Sequence, residues 1–190
     1  MDFSSWKSKF FKGKNSEIKN LEKAYVVLNN SIAVYAISGD PPTWGHADIM
    51  MRASKKFTQV YWVIGKNPKK KYMFSDEQKI QMMKAYVSHY KLDNITLDFV
   101  DGSIAKYAKE KKAKFLIRGL RSSSDFDMEY ELSVANRGIA KDLETICMFT
   151  KPHYATISSS IVREVALLNE KVSQYVHPEV EKIIESIVKK

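Results

Sequence analysis

Ile32-Ala33-Val34-Tyr35-Ala36-Ile37, followed at once by Ser38-Gly39-Asp40-Pro41-Pro42-Thr43-Trp44-Gly45-His46, decides how the rest of the chain is read. The first six residues are short, apolar and partly β-branched, the pattern of a buried strand. Two prolines then break it, and apolar residues at Ile49, Met50, Ala53 and Phe57 predict a helix opening near Gly45. A helix that starts where a parallel strand ends turns its unbonded N–H groups and positive dipole end towards the carboxyl edge of the sheet. Such an edge binds anions before any side chain is counted. His46, in the first turn, adds a hydrogen-bond donor for a phosphate docked there. The same stretch also reads as an ordinary strand-to-helix turn holding an incidental histidine, so the rest of the chain has to decide.

Outward from this point, strand and helix patterns alternate. Gln59 to Ile64 reads as a second strand ended by Gly65, followed by a basic loop from Lys66 to Lys71. Ser75-Asp76-Glu77-Gln78 has the form of a capping box, opening a helix with Ile80, Met83, Ala85 and Tyr86 on its apolar face. Ile95 to Val100 alternates as a third strand, and Ile104, Tyr107 and Ala108 suggest a short helix. Phe115-Leu116-Ile117 predicts a fourth strand ending at Arg118. A helix is expected from about Asp125 to Arg137 with Gly138 as its stop, then a fifth strand from Thr145 to Thr150. Ser158 can cap a helix carrying Ile161, Val162, Val165, Ala166 and Leu168, and Pro178 suits the first turn of a last one. The expectation is an α/β fold: a Rossmann-like, doubly wound, five-stranded parallel sheet.

Ligands bind such sheets beyond the carboxyl ends of the strands. Ser38 and His46 stand there after the first strand, Lys69, Lys70 and Lys71 after the second. Arg118 and Arg121 follow the fourth, and Ser158, Ser159 and Ser160 the fifth. Four edges thus supply phosphate-binding groups to one face. Each group has a second reading: the lysines as solvated surface, the arginines as ion-pair partners of Asp125 or Glu129, and Ser158 as a cap.

Composition bounds the class. The chain has 190 residues, 44% of them hydrophobic and 28% charged, which is enough for one α/β core. The formal net charge of +9 favours anionic partners, either phosphorylated small molecules or nucleic acid. Cys147 is the single cysteine, so no intramolecular disulfide can form and a reducing cytoplasm fits. Its setting in Ile146-Cys147-Met148-Phe149 predicts a small buried side chain. Four scattered histidines and one cysteine offer no zinc spacing, and no apolar run is long enough to span a membrane.

The motifs together resemble the bacterial-type phosphopantetheine adenylyltransferases, within the nucleotidyltransferase superfamily marked by Thr/His-x-Gly-His. The resemblance rests on Thr43-Trp44-Gly45-His46, on Asn67-Pro68-Lys69-Lys70-Lys71 followed by Met73-Phe74-Ser75, and on Arg118-Gly119-Leu120-Arg121 followed by Asp125-Phe126 and Glu129. Asn136-Arg137 and Ile157-Ser158-Ser159-Ser160 with Val162-Arg163-Glu164 complete it, in the family's order from about Ser31 onward. The resemblance implies transfer of adenylyl from ATP, with Mg2+, to 4′-phosphopantetheine, giving dephospho-coenzyme A and pyrophosphate without a covalent enzyme intermediate. It implies catalytic roles for His46, Lys70 and Arg118. Ser38, Lys70, Ile104 and Arg118 would contact phosphopantetheine. Ser38, Gly39, His46, Gly119, Arg121, Glu129, Tyr154, Ser158, Ser159 and Ser160 would contact ATP. No residue is expected to ligate a metal. A homohexamer, feedback inhibition by coenzyme A, and a cytoplasmic location with no nucleic-acid partner complete the expectation.

The chain departs from the family at Ile37, at Gly39, where an aromatic is customary, and at Trp44, which replaces an asparagine and could crowd or stack on the nucleotide. Two alternatives stay open: a nucleotidyltransferase with another phosphate acceptor, and a nucleotide-binding relative whose catalysis Ile37 has weakened. Residues 1–30 lie outside the resemblance and form a basic extension to a domain over 31–190. Phe3, Trp6 and Phe10 share one helical face there, and Ile18, Leu21 and Tyr25 another.

Overall fold

β1 (Ile32–Ile37), β2 (Gln59–Gly65), β3 (Ile95–Val100), β4 (Phe115–Leu120) and β5 (Glu144–Phe149) form one sheet in the order β3-β2-β1-β4-β5. Every neighbouring pair is parallel. The computed structural model describes residues 31–67 and 70–188. The extension expected over 1–30, and Pro68 and Lys69 of the basic loop, lie outside them. Helices α1 (Trp44–Ser54), α2 (Asp76–Tyr90), α3 (Ile104–Glu110), α4 (Ser123–Ile139), α5 (Ser159–Leu167) and α6 (Pro178–Val188) link or follow the strands, with a short 3-10 turn at Pro152–Tyr154. Among the described residues no helix is long and apolar enough to cross a membrane.

Strand periodicity sorts the core into two layers. Ala33, Tyr35 and Ile37 of β1 face a cluster with Ile49 and Met50 of α1, Met83 and Tyr86 of α2, Val162 of α5 and Ile184 of α6. Val34 and Ala36 point to the opposite face, against Ala105 and Ala108 of α3 and Leu143. The sheet is therefore doubly wound, as its alternation with helices predicts. Its strand order reverses between β1 and β4, and the pairing of these two strands stops at Tyr35 and Ile117, short of their carboxyl ends, where a crevice is expected.

Caps were legible. Ser75 accepts the Gln78 N–H while Gln78 Oε1 accepts the Ser75 N–H, and Ser158 accepts the Ile161 N–H. Three boundaries differ from the sequence expectation. Strand β4 continues through Leu120, so Arg118 and Gly119 lie within it. Helix α4 runs from Ser123 to Ile139 and passes through Gly138, because Ala140 ends it in an extended conformation (φ −133°). Phe57 lies beyond α1 and packs on Phe115 with ring centroids 5.4 Å apart.

Candidate functional site

The turn between β1 and α1 is built around a buried carboxylate. Asp40 is 3% exposed and accepts the N–H groups of Met73 and Phe74, each at 3.1 Å. Its Oδ2 lies 3.4 Å from the Arg163 guanidinium, which also donates to the Asp40 carbonyl. One side chain therefore ties the loop before α2 and the second turn of α5 to the first strand's end. Each N–H left unbonded there would cost about 1–3 kcal/mol. Gly39 precedes it with φ +53°, a left-handed conformation that suits glycine, and an added Cβ would come within 2.7 Å of Ile64.

His46 is fixed by its own cap. Thr43 opens α1 with a capping box, and His46 Nδ1 accepts the Thr43 N–H at 3.1 Å and lies 2.9 Å from Thr43 Oγ1. With Nδ1 occupied as an acceptor, the network assigns the ring proton to Nε2. Burial lowers the His46 pKa to about 4, and the positive charge of Arg121 adds to the shift. The imidazole is thus neutral at pH 7 and presents an N–H donor. Trp44, one residue earlier in the turn than Gly45, points elsewhere. Its ring meets Tyr86 edge-on at 5.1 Å and lies near His89 and His177, at 5.3 and 5.6 Å, and the Trp44 backbone N–H donates to the Tyr175 carbonyl. It does not line the cavity described next, contrary to the expectation that it would crowd or stack on the nucleotide.

A cavity of about 640 Å³ opens at the crevice between β1 and β4. It gathers most of the residues singled out in the sequence. Ser38 and His46 come from the first edge, Lys70 from the second, Ile104 from the start of α3, and Arg118, Gly119 and Arg121 from the fourth strand and its exit. Glu129 comes from α4 and Ser158, Ser159 and Ser160 from the start of α5. Gly39 and Tyr154 do not line it: Gly39 packs towards Ile37 and Ile64, and Tyr154 lies against Gly45 and His153. Ile37 does reach the cavity wall while only 8% exposed. A smaller space of about 50 Å³ adjoins His46, Gly119 and Arg121.

The cavity's cations are not equivalent. Arg118 forks onto Glu129, its Nε and Nη2 donating to the two carboxylate oxygens, while Nη1 donates to the Ala36 carbonyl at 3.3 Å. Arg121 meets Asp125 through Nε at 3.2 Å and Nη2 at 3.3 Å, and its backbone N–H donates to the same carboxylate at 2.8 Å. These contacts hold the Asp125 carboxyl below the usual carboxylate range even though burial opposes them. The ion-pair reading of both arginines therefore holds alongside their position in the cavity. Ser159 Oγ donates to the Pro41 carbonyl at 2.8 Å and Ser158 Oγ takes the Ile161 N–H, so the N–H groups of Ser159 and Ser160, both cavity-lining residues, are the ones that helix geometry leaves unbonded.

Tyr35, Lys66, Tyr72, Met128 and Leu132 also line the cavity and were not singled out. Asp125, Met128, Glu129 and Leu132 follow helical spacing, so one face of α4 was readable from the sequence. Tyr35 was hidden in an apolar strand, where alternation alone does not reveal a hydroxyl at a cavity wall. Cys147 corrects the composition argument. It is exposed on β5, not buried, because β5 is an edge strand and its outer face is open; the burial it does have raises its thiol pKa. No group of three or more His, Cys, Asp or Glu among the described residues could hold a metal ion.

A family model described as cytidylyltransferase-like matches residues 38–165, from the end of β1 into α5. The chain belongs to the cytidylyltransferase-like family. The match takes in every cavity-lining residue from Ser38 to Ser160, while Tyr35, Ala36 and Ile37 of β1 precede it, and it makes the chain a nucleotidyltransferase. Two solved structures resemble this cytidylyltransferase-like chain. A Vibrio parahaemolyticus protein assigned as a nicotinate-nucleotide adenylyltransferase is 16% identical, with a TM-score of 0.63, covering 83% of this chain and 93% of its own. Plasmodium falciparum nicotinic acid mononucleotide adenylyltransferase, complexed with NaAD, is 16% identical with a TM-score of 0.62, covering 83% and 95%. At that identity the likeness speaks for the fold.

Proposed function

We propose that the chain transfers adenylyl from ATP to 4′-phosphopantetheine, releasing pyrophosphate and forming dephospho-coenzyme A. The observation that supports this most is the convergence of His46, Lys70, Arg118, Arg121 and the first turn of α5 on one cavity, in motifs that resemble the phosphopantetheine adenylyltransferases. An oxygen of the acceptor phosphate attacks the α-phosphorus of ATP. The bond from that phosphorus to the bridging oxygen breaks, and its electron pair leaves with pyrophosphate. No protein nucleophile takes part, so the site must bring two anions together and stabilise charge that grows in flight.

His46 Nε2–H is the neutral donor for the α-phosphate, held in place by Thr43. Ser38, Lys70 and Arg118 hold the acceptor phosphate, with Ile104 beside its apolar arm. Arg121, Ser159, Ser160 and the dipole of α5 take the β- and γ-phosphates. Gly119 lies beside the nucleotide, and Glu129 both orients Arg118 and faces the ribose. Asp125 and Glu129, the carboxylates of the wall, are already held by arginines, so the donors present fit Mg2+ carried by phosphate oxygens and water. The ion would offset phosphate charge when bound.

A second acceptor, nicotinic acid mononucleotide, is suggested by the activity for which the two similar structures are named. Exposed Phe126, Tyr130 and Val134 line a cleft of about 670 Å³ between α4 and β5, which supports a homo-oligomer, a hexamer by resemblance. The test is acceptor-dependent pyrophosphate release from ATP and Mg2+, with each acceptor offered separately and the product weighed by mass spectrometry. Dephospho-coenzyme A sustains the proposal. Product only with the mononucleotide replaces it.

A further inference from the structure

Lys79, in the first turns of α2, is fully buried. Among the described residues its ammonium meets no hydrogen-bond acceptor. It lies 3.5 Å from the centroid of the Tyr72 ring and 3.9 Å from Asp76 Oδ1. Burial lowers its pKa, against the opposing pull of Asp40 and Asp76. A cation in such a place is costly, and an apolar side chain of similar volume is not. Met82 and Met83, its neighbours on the buried face of α2, show what packing alone asks for.

The partner of the ammonium explains its presence. Tyr72 is part of the cavity wall, and its hydroxyl accepts the Asn67 N–H at 2.8 Å. The Asn67 carbonyl accepts the Lys70 N–H at 2.9 Å. The other oxygen of Asp76 lies 2.7 Å from Lys66 Nζ. Lys79 is therefore linked to both sides of the basic loop, to Tyr72 directly and to Lys66 through the Asp76 carboxylate. A cation on an aromatic face is worth most when desolvated, and the fully buried Lys79 meets that condition at the Tyr72 ring.

We propose that Lys79 is a positioning residue, whose ammonium holds the Tyr72 ring and, through Tyr72 and Asn67, keeps Lys70 at the cavity wall and the acceptor phosphate. This rests on the role given to Lys70 above. The test compares Lys79→Met with Lys79→Arg by hydrogen–deuterium exchange over residues 64–74, which needs no substrate, and by pyrophosphate-release kinetics. Lys79→Met is expected to keep or raise Tm, because it removes a buried charge. Exchange in the loop should nevertheless quicken, and the KM for 4′-phosphopantetheine should rise about ten-fold, the scale of a desolvated cation–π contact, with the KM for ATP within about two-fold. Arg, which also stacks on aromatic rings, should restore both readouts.

Unchanged loop exchange in Lys79→Met overturns the proposal, whichever acceptor the enzyme uses. A fall in Tm with both KM values rising together also overturns it, since that is loss of structure. If the wild type makes no dephospho-coenzyme A, the acceptor reading fails, and the exchange experiment still decides the role of Lys79. Should Lys79→Met not fold, Tyr72→Leu must loosen the loop more than Tyr72→Phe, which keeps the ring. Equal loosening sinks the idea.

Discussion

The two walls of the cavity are prepared differently. On the β1 side, Thr43 orients His46, Asp40 clamps the turn, and the imidazole stands neutral with its Nε2–H available. On the β4 side, Arg118 and Arg121 are each held by a carboxylate of α4. One wall is set by its own hydrogen bonds, whereas the other is charge-balanced, so that the phosphate proposed to bind there would have to compete with Glu129 and Asp125. The difference teaches where each kind of group is useful. A donor for transition-state charge gains from being rigid, because reorganisation at the moment of reaction is avoided. An arginine that meets a ground-state phosphate gains from a carboxylate that aligns its fork and shields it between turnovers.

Breaking the rigid wall should give the largest effect. His46→Ala is expected to lower kcat by about 10²–10³-fold while the KM for ATP stays within about three-fold, because the lost donor acts on charge that develops in the transition state. Steady-state pyrophosphate release checks it, and a variant with near-normal kcat would remove His46 from the chemistry.

The balanced wall should break differently. Arg118→Ala is expected to raise the KM for the phosphate acceptor by about ten- to a hundred-fold, with a smaller change for ATP. It also strands Glu129, which is 5% exposed, so stability should fall by about 3 kcal/mol in urea titration. Arg118→Ala combined with Glu129→Gln should recover much of that stability and none of the acceptor affinity. Recovery of both would mean that Arg118 is only a structural partner.

The smallest effect sharpens the contrast through pH. The His46 pKa stands at about 4 in the fold against 6.5 when free, lowered first by burial and then by Arg121. Between those values the unfolded chain binds the extra proton, so the contribution is complete above pH 6.5 and is lost as pH falls towards 4. His177, lowered in the same direction by burial and by His89, adds to the slope. Tm is therefore expected to fall less steeply from pH 6.5 to 4 in His46→Asn than in the wild type, with the His177 share retained. Equal slopes would show that His46 is not held neutral by its surroundings.

Much of this molecule was legible in its sequence. The strand–helix alternation, the serine caps at Ser75 and Ser158 and the convergence of Ser38, Lys70, Arg118 and Ser160 on one edge all follow from local pattern and parallel topology. Boundaries were less so. Gly138 looked like a stop and sits inside α4, since a glycine is tolerated in a helix whose neighbours continue it. Cys147 looked buried because an apolar run does not say whether its strand is central or at the edge.

The sequence by itself determined the α/β class, the sheet edge at which the cavity lies and the candidate residues, because each is written within a few neighbouring positions or follows from the handedness of parallel crossovers. Tertiary structure alone decided the rest. It fixed which carboxylate each arginine meets and where Trp44 turns. It also placed Asp40 across three segments and buried Lys79 beneath Tyr72. These outcomes depend on segments distant in sequence arriving at the same point, where burial and charge act together through a short range of space that no local pattern records.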